Sequence, residues 1–219
     1  MASGEPAAAH AGAGSSWPAA AALVLAALLG ASVLHAASVT GPERLTPTAS
    51  YADGAPPGFS GGFGEQSCHA CHFHNDLDAE PGRVTIAGLP ERFVPGTSYP
   101  LTITLTRPGM TIGGFQLAAR LEDGGAQAGT LAPGPSETER LAVETQGGVE
   151  YANQRVPGTA LAEPDTAQWT VLWTAPATRE TVQIHIAANA ADKDGTAEGD
   201  YVHTTVVAVQ PSHQPEAAR

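Results

Sequence analysis

In "YPLTITLTR" (residues 99–107), Leu101, Ile103 and Leu105 alternate with Thr102, Thr104 and Thr106. A period of two sets the three aliphatic side chains on one face of an extended strand and the threonines on the other. Similar short runs of β-branched, aliphatic and aromatic residues recur along the chain. They are "RVTIAG" (83–88), "GFQLAARL" (114–121), "RLAVET" (140–145), "VEYAN" (149–153), "QWTVLWTA" (168–175), "TVQIHIAAN" (181–189) and "YVHTTVVAV" (201–209). Turn formers separate them: "PERFVPGTS", "EDGGAQAG", "APGPSE", "TQGG" and "ADKDGTAEGD". Seven or eight such strands predict an all-β chain, an immunoglobulin-like antiparallel β-sandwich. No segment carries a convincing helical period of 3.6.

The pattern changes outside this region. Residues 18–37, "PAAAALVLAALLGASVLHAA", contain no charge. Such a run is a secretory signal cut near Ala37 or a membrane tether that is kept. The preceding residues hold no Lys or Arg, which is unusual for a signal. Either reading places the rest outside the cytoplasm, in the periplasm or at the cell surface. Residues 38–82 are rich in Gly, Pro and Ser without a period, and read as an extended arm. Residues 83–209 form the sandwich, and 210–219 a polar, disordered tail.

Charge narrows the partners. Twenty-two acidic residues against ten basic ones leave a net charge of −12, and Lys193 is the lone lysine. Phosphate contacts need basic patches, so nucleic acid is not an expected partner.

The chemistry sits in the arm. "SCHACHFHN" (67–75) holds both cysteines of the chain and three of its eight histidines. In the C-x-x-C-H motif two residues between the cysteines let both sulfurs reach adjacent vinyl groups of one porphyrin, and the next residue supplies an imidazole to the iron. The reading is one covalent haem c, attached at Cys68 and Cys71, with His72 as the proximal ligand. Attachment of this kind happens outside the cytoplasm, in agreement with residues 18–37. Three other uses stay open. Zinc would take Cys68, Cys71 and two of His69, His72 and His74, a crowded set for a tetrahedral site. A redox dithiol should open a helix in an α/β fold. A structural disulfide would leave His72 without a role.

Met110 is the candidate distal ligand. It is the only methionine beyond Met1 and stands in the turn "RPGMTIGG", an exposed-looking place for an apolar residue. His185 and His203, on consecutive strands, are the next candidates; His69 reads as a spacer. Phe59, Phe63 and Phe73 either cover a haem or pack the arm onto the sheet. Asp192, Asp194 and Asp200 lack the twelfth-position Glu of an EF-hand and read as hairpin-turn residues.

Two stretches carry a family likeness. "VQIHIAANAADKDGTAEGDYVHTTVVAV", preceded by "VLWTAP" and "GFQLAAR", resembles the bacterial Reeler-like domains, also called choice-of-anchor V. The arm "GFSGGFGEQSCHACH" is similar to the Gly-rich stretch, with a Glu and then C-x-x-C-H, that precedes the first strand in many of them. The resemblance covers roughly residues 58–208, most of a domain of this size. It implies an extracytoplasmic immunoglobulin-like sandwich with a motif but no reaction. The chain departs at His185 and His203, where the resemblance implies aromatics.

The resulting expectation is an exported c-type cytochrome that relays single electrons to a redox protein partner and is not itself an enzyme. The alternatives are an adhesion or binding module with a structural Cys/His cluster, and a haem or gas sensor.

Overall fold

A computed structural model describes Tyr51 and residues 53–212. All eight runs named above are strands, within an all-β architecture of ten strands in two sheets. In chain order the strands are β1 (Arg83–Ala87), β2 (Arg92–Phe93), β3 (Ser98–Thr106), β4 (Ile112–Leu121), β5 (Thr130–Pro133), β6 (Leu141–Gln146), β7 (Val149–Gln154), β8 (Thr166–Thr174), β9 (Val182–Ala191) and β10 (Tyr201–Pro211). One sheet runs β1-β3-β8-β5 and the other β2-β10-β9-β4-β7-β6. All pairs are antiparallel except β2 with β10.

Of the two strands missed by sequence reading, β2 falls in a segment read as a turn and β5 spans the gap between two such segments, ending inside the second. Both are short edge strands, and β5 ends at Pro133, which has no N–H for a further ladder bond. Neither is long enough to show a period.

The core lies between the sheets. Leu101, Ile103 and Leu105 are fully buried while Thr102, Thr104 and Thr106 stay half-buried on the other face, as the alternation predicts. Trp169 and Trp173 of β8 fill the centre. Phe115 stacks on Trp169 with ring centroids 4.6 Å apart, and Phe93 meets Trp173 edge-on at 5.5 Å. Each indole N–H is satisfied by a loop carbonyl: Trp169 donates to Gly158 O (2.7 Å) and Trp173 to Ala128 O (2.8 Å).

A third layer covers the other face of the six-stranded sheet. Gln116, Ala118, Tyr151, Asn153 and Ala187 point away from the core, yet all are buried. The cover is the arm before β1. It has no long ladder of its own, so its backbone groups find partners on the sheet. Gln116 accepts from Phe59 N (2.5 Å) and donates to Pro56 O (2.9 Å). Asp78 accepts from both the backbone N–H (2.6 Å) and the hydroxyl (3.0 Å) of Thr204, and its own N–H donates to Val202 O (2.9 Å).

Among the described residues no helix is long and apolar enough to cross a membrane. β10 runs through Pro211, two residues into the segment 210–219 read as a disordered tail; residues 18–37 and 213–219 lie outside the described residues.

His203 of β10 pairs with Ala188 of β9, so its ring points into the interior, where it is 1% exposed. Neither ring nitrogen has a hydrogen-bond partner. Gly82 packs against it so closely that a Cβ there would stand 2.2 Å from Nε2. Burial, and then the Arg107 guanidinium, hold the His203 pKa below its ordinary 6.5; Asp78 and Glu80 oppose this weakly. A base whose pKa falls on folding binds fewer protons folded than unfolded. Its contribution to stability is therefore complete above pH 6.5 and is lost as pH falls from there toward the depressed folded value. The melting temperature should decline below about pH 6.5, and His203→Leu, which also removes two orphaned nitrogens, should flatten that decline. Melting curves of both proteins across this range check it; parallel pH profiles would mean that His203 is not the titrating group.

Candidate functional site

The motif occupies a tight turn on the sheet's covered face. Cys68–Ala70 is a single 3-10 turn, with the Ser67 side chain accepting from His69 N (3.3 Å). The turn closes when Cys71 N and His72 N both donate to Cys68 O, at 3.2 and 3.0 Å. The two sulfurs are not joined, Cys68 being half-buried and Cys71 exposed. Burial pushes the Cys68 thiol up to about 12. That disfavours a free thiolate, the species a redox dithiol requires.

His72 is fixed by residues far along the chain. Its Nδ1 lies 2.6 Å from Asp200 Oδ2. Asn189 Nδ2, on the outward face of β9, lies 3.3 Å from the same carboxylate oxygen and 3.2 Å from His72 Nδ1. Asn75 Nδ2 donates to the backbone carbonyl of Asp200 (2.8 Å). His72 keeps 33% of its side chain exposed, whereas Asp200 keeps 2%. A carboxylate can only accept, so the short contact calls for the proton on Nδ1, and in the neutral ring Nε2 is then the bare nitrogen.

The other histidines separate. His69 is more than a spacer, because its Nε2 donates to Asn75 O (2.9 Å) and closes the loop that carries the motif. His74 is exposed. Among the described residues no group of three or more His, Cys, Asp or Glu is disposed to hold a metal ion. His185 and His203 do not meet: His185 pairs with Val206 and His203 with Ala188, so the two rings project from opposite faces of the sheet. His185 lies under the arm, against Gly62 and edge-on to Phe63 at 5.2 Å. Burial, then Arg120, lower its pKa.

Met110 is not exposed. Its side chain is 6% accessible and belongs to the core, packed over Gly113 beneath the turn after β3. The loop position suggested an apolar side chain in need of a partner, and the partner is the sandwich interior. Of the three arm phenylalanines, Phe63 packs against the sheet under the Arg120 guanidinium. Phe73, directly after His72, is 71% exposed.

The arm is anchored beside the motif by Glu65. It binds Arg120 of β4, accepts from Tyr151 Oη of β7 (2.5 Å) and accepts from Ser60 Oγ (2.9 Å). Burial and the Glu65 carboxylate push the Tyr151 hydroxyl up to about 12. Gly62 is required here by the sheet, because a Cβ would stand 2.5 Å from the His185 ring.

Sequence reading did not find Asp200, Asn189, Asn75 or the role of Glu65. Asp200 was grouped with Asp192 and Asp194, but the structure divides them. Asp194 accepts from Thr196 N (2.7 Å) and closes its own turn, while Asp200 turns to the motif.

Comparison with protein-family models finds no match, and comparison with curated proteins finds none. Among solved structures, the human F-spondin reeler domain is similar at 19% identity and TM-score 0.41, over 64% of this chain and 95% of that one. A second structure, the Reelin-N domain of F-spondin, gives 19% and 0.41 over 66% and 97%. A cohesin module from a Clostridium perfringens family 33 glycoside hydrolase gives 10% and 0.41 over 61% and 98%.

Two outcomes follow from this geometry. Glu65→Gln should make opening of the arm easier by roughly 1.5–3 kcal/mol, the worth of charged hydrogen bonds. Amide exchange at Gly61 and Glu65, whose N–H groups bond within the arm, should quicken while the β3 and β8 amides stay protected. Met110→Ala should cost about 2–5 kcal/mol of stability by leaving a cavity, and Met110→Leu under about 1.5, measured by denaturant unfolding.

Proposed function

We propose that this chain is an exported single-haem protein of c type, in which Cys68 and Cys71 carry the group as thioethers and His72 offers Nε2 to the iron. The observation that supports it best is the state of the three motif residues. His72 has Nδ1 engaged and Nε2 bare. Cys71 is open to solvent. Cys68 lies half-buried on the same 3-10 turn, three residues before Cys71. Each thiol adds across one vinyl double bond, sulfur to one carbon and the thiol hydrogen to the other, so no oxidant is consumed. When bound, the group would supply a one-electron couple.

The chain's own residues orient and shield. The 3-10 turn sets the sulfurs on one segment, His69 closes the loop through Asn75, and Glu65 pins the arm. Phe73 offers an exposed aromatic face beside His72. The role we assign is electron relay to a redox protein in the periplasm or at the cell surface. Export rests on residues 18–37. Met110 lies in the core, and a haem or gas sensor with an open second position is the second reading.

Protein produced in a host that matures c-type haem should gain the mass of one haem, resistant to acidified organic extraction, with a covalent c-type pyridine haemochrome. Cys68→Ala and Cys71→Ala should each leave a single linkage, and His72→Ala should lose the native ligation spectrum. Free alkylatable thiols in protein from that host would overturn the proposal and leave the binding-module reading. Carbon monoxide binding to the reduced protein at neutral pH would favour the sensor over the carrier.

A further inference from the structure

Asp200 is a carboxylate in an unusual setting. It is 2% exposed, and among the described residues no Lys or Arg pairs with it; its closest side-chain partner is the His72 ring. Oδ2 takes both close contacts, from His72 Nδ1 and Asn189 Nδ2, and Oδ1 has none. A carboxylate buried this deeply needs a compensating positive charge or strong donors. The imidazole at 2.6 Å is the strongest donor it has.

We infer that Asp200 is a positioning residue for His72: it holds the ring as the Nδ1–H tautomer with Nε2 outward, and its negative charge keeps an iron bound at Nε2 at a lower potential than a neutral acceptor would. The second half rests on the haem reading above; the first half does not. An anionic acceptor on Nδ1–H raises the basicity of the ring and strengthens donation from Nε2. It also stabilises the more positive, oxidised state of whatever metal Nε2 holds, and it does so with little screening because Asp200 is out of the solvent. Asn189 steadies the arrangement by its contact with Oδ2. Asn75 binds the backbone of Asp200 rather than its carboxylate, so exchanging the side chain leaves that tie between arm and hairpin in place.

Two measurements test the two halves. In the chain without haem, long-range proton–nitrogen NMR at about pH 8, above the ordinary histidine range, should show His72 wholly as the Nδ1–H tautomer. Asp200→Ala should shift it to mostly Nε2–H, the form a free neutral imidazole prefers, and Asn189→Ala should leave it Nδ1–H. A wild-type His72 already in the Nε2–H form would overturn the positioning role. In the haem-loaded protein, Asp200→Asn, which retains an acceptor but removes the charge, should move the potential to a more positive value, while Asp200→Glu should stay nearer the wild type. An unchanged potential in Asp200→Asn with haem attached would overturn the electronic role. If the wild type takes up no haem, the attachment reading fails and the tautomer experiment still decides the positioning role. Dispersed core resonances in each variant separate these results from misfolding.

Discussion

Arg120 stands in β4 on the face that points away from the core, and Glu65 crosses from the arm to meet it. A guanidinium and a carboxylate enclosed together need one another, since removing either leaves a charge without its counterpart. That requirement brings the segment before β1 down onto the sheet. Once it is down, Tyr151 and Ser60 complete the shell of Glu65, Gly62 closes on His185, and the motif is carried to β9 and β10. A sheet that would otherwise show water one face has both faces covered. The second cover is hydrogen-bonded where the first is apolar: Gln116 serves the arm's backbone, and Phe115 beside it fills the core.

What sequence reading could reach follows from the range of each signal. Alternation over residues 99–107 is local, and so was enough to assign faces to β3 before any neighbour was known. β2 has too few residues to show a period and exists only through pairing with the end of β10. The motif announced itself through spacing, which is also local. Its support did not: the carboxylate that holds His72 is 128 positions away, in a stretch whose Asp and Gly content describes a turn equally well. Nothing in the residues around Asp200 separates it from Asp194, which serves only its own loop. Met110 was misplaced for a related reason. Position between two strands argues for exposure, but a side chain at the mouth of a sandwich can fold inward, and this one does.

Buried His203 and half-buried His185 also show how one residue type is used differently on opposite faces of a sheet. His185 meets an arm that supplies an aromatic edge, and Gln183 of its own strand supplies an acceptor, so one nitrogen is satisfied. His203 meets apolar neighbours, a bare glycine and a guanidinium, and remains without a partner. The odd spacing of strand partners produces this division, and no feature of either residue's immediate sequence reports it.

The long separation between His72 and Asp200 sets an order of events during synthesis. A chain emerges from its N-terminus, so Cys68, Cys71 and His72 leave the ribosome well before the final hairpin exists. Until β9 and β10 have paired, neither Asn189 nor Asp200 is in place to receive the ring, and the motif is carried on a segment without its floor. Cys68, half-buried in the finished molecule, is fully open throughout that interval. Both thiols are therefore accessible before the last hairpin pairs, so the order of folding, as well as the fold, sets when the turn is covered.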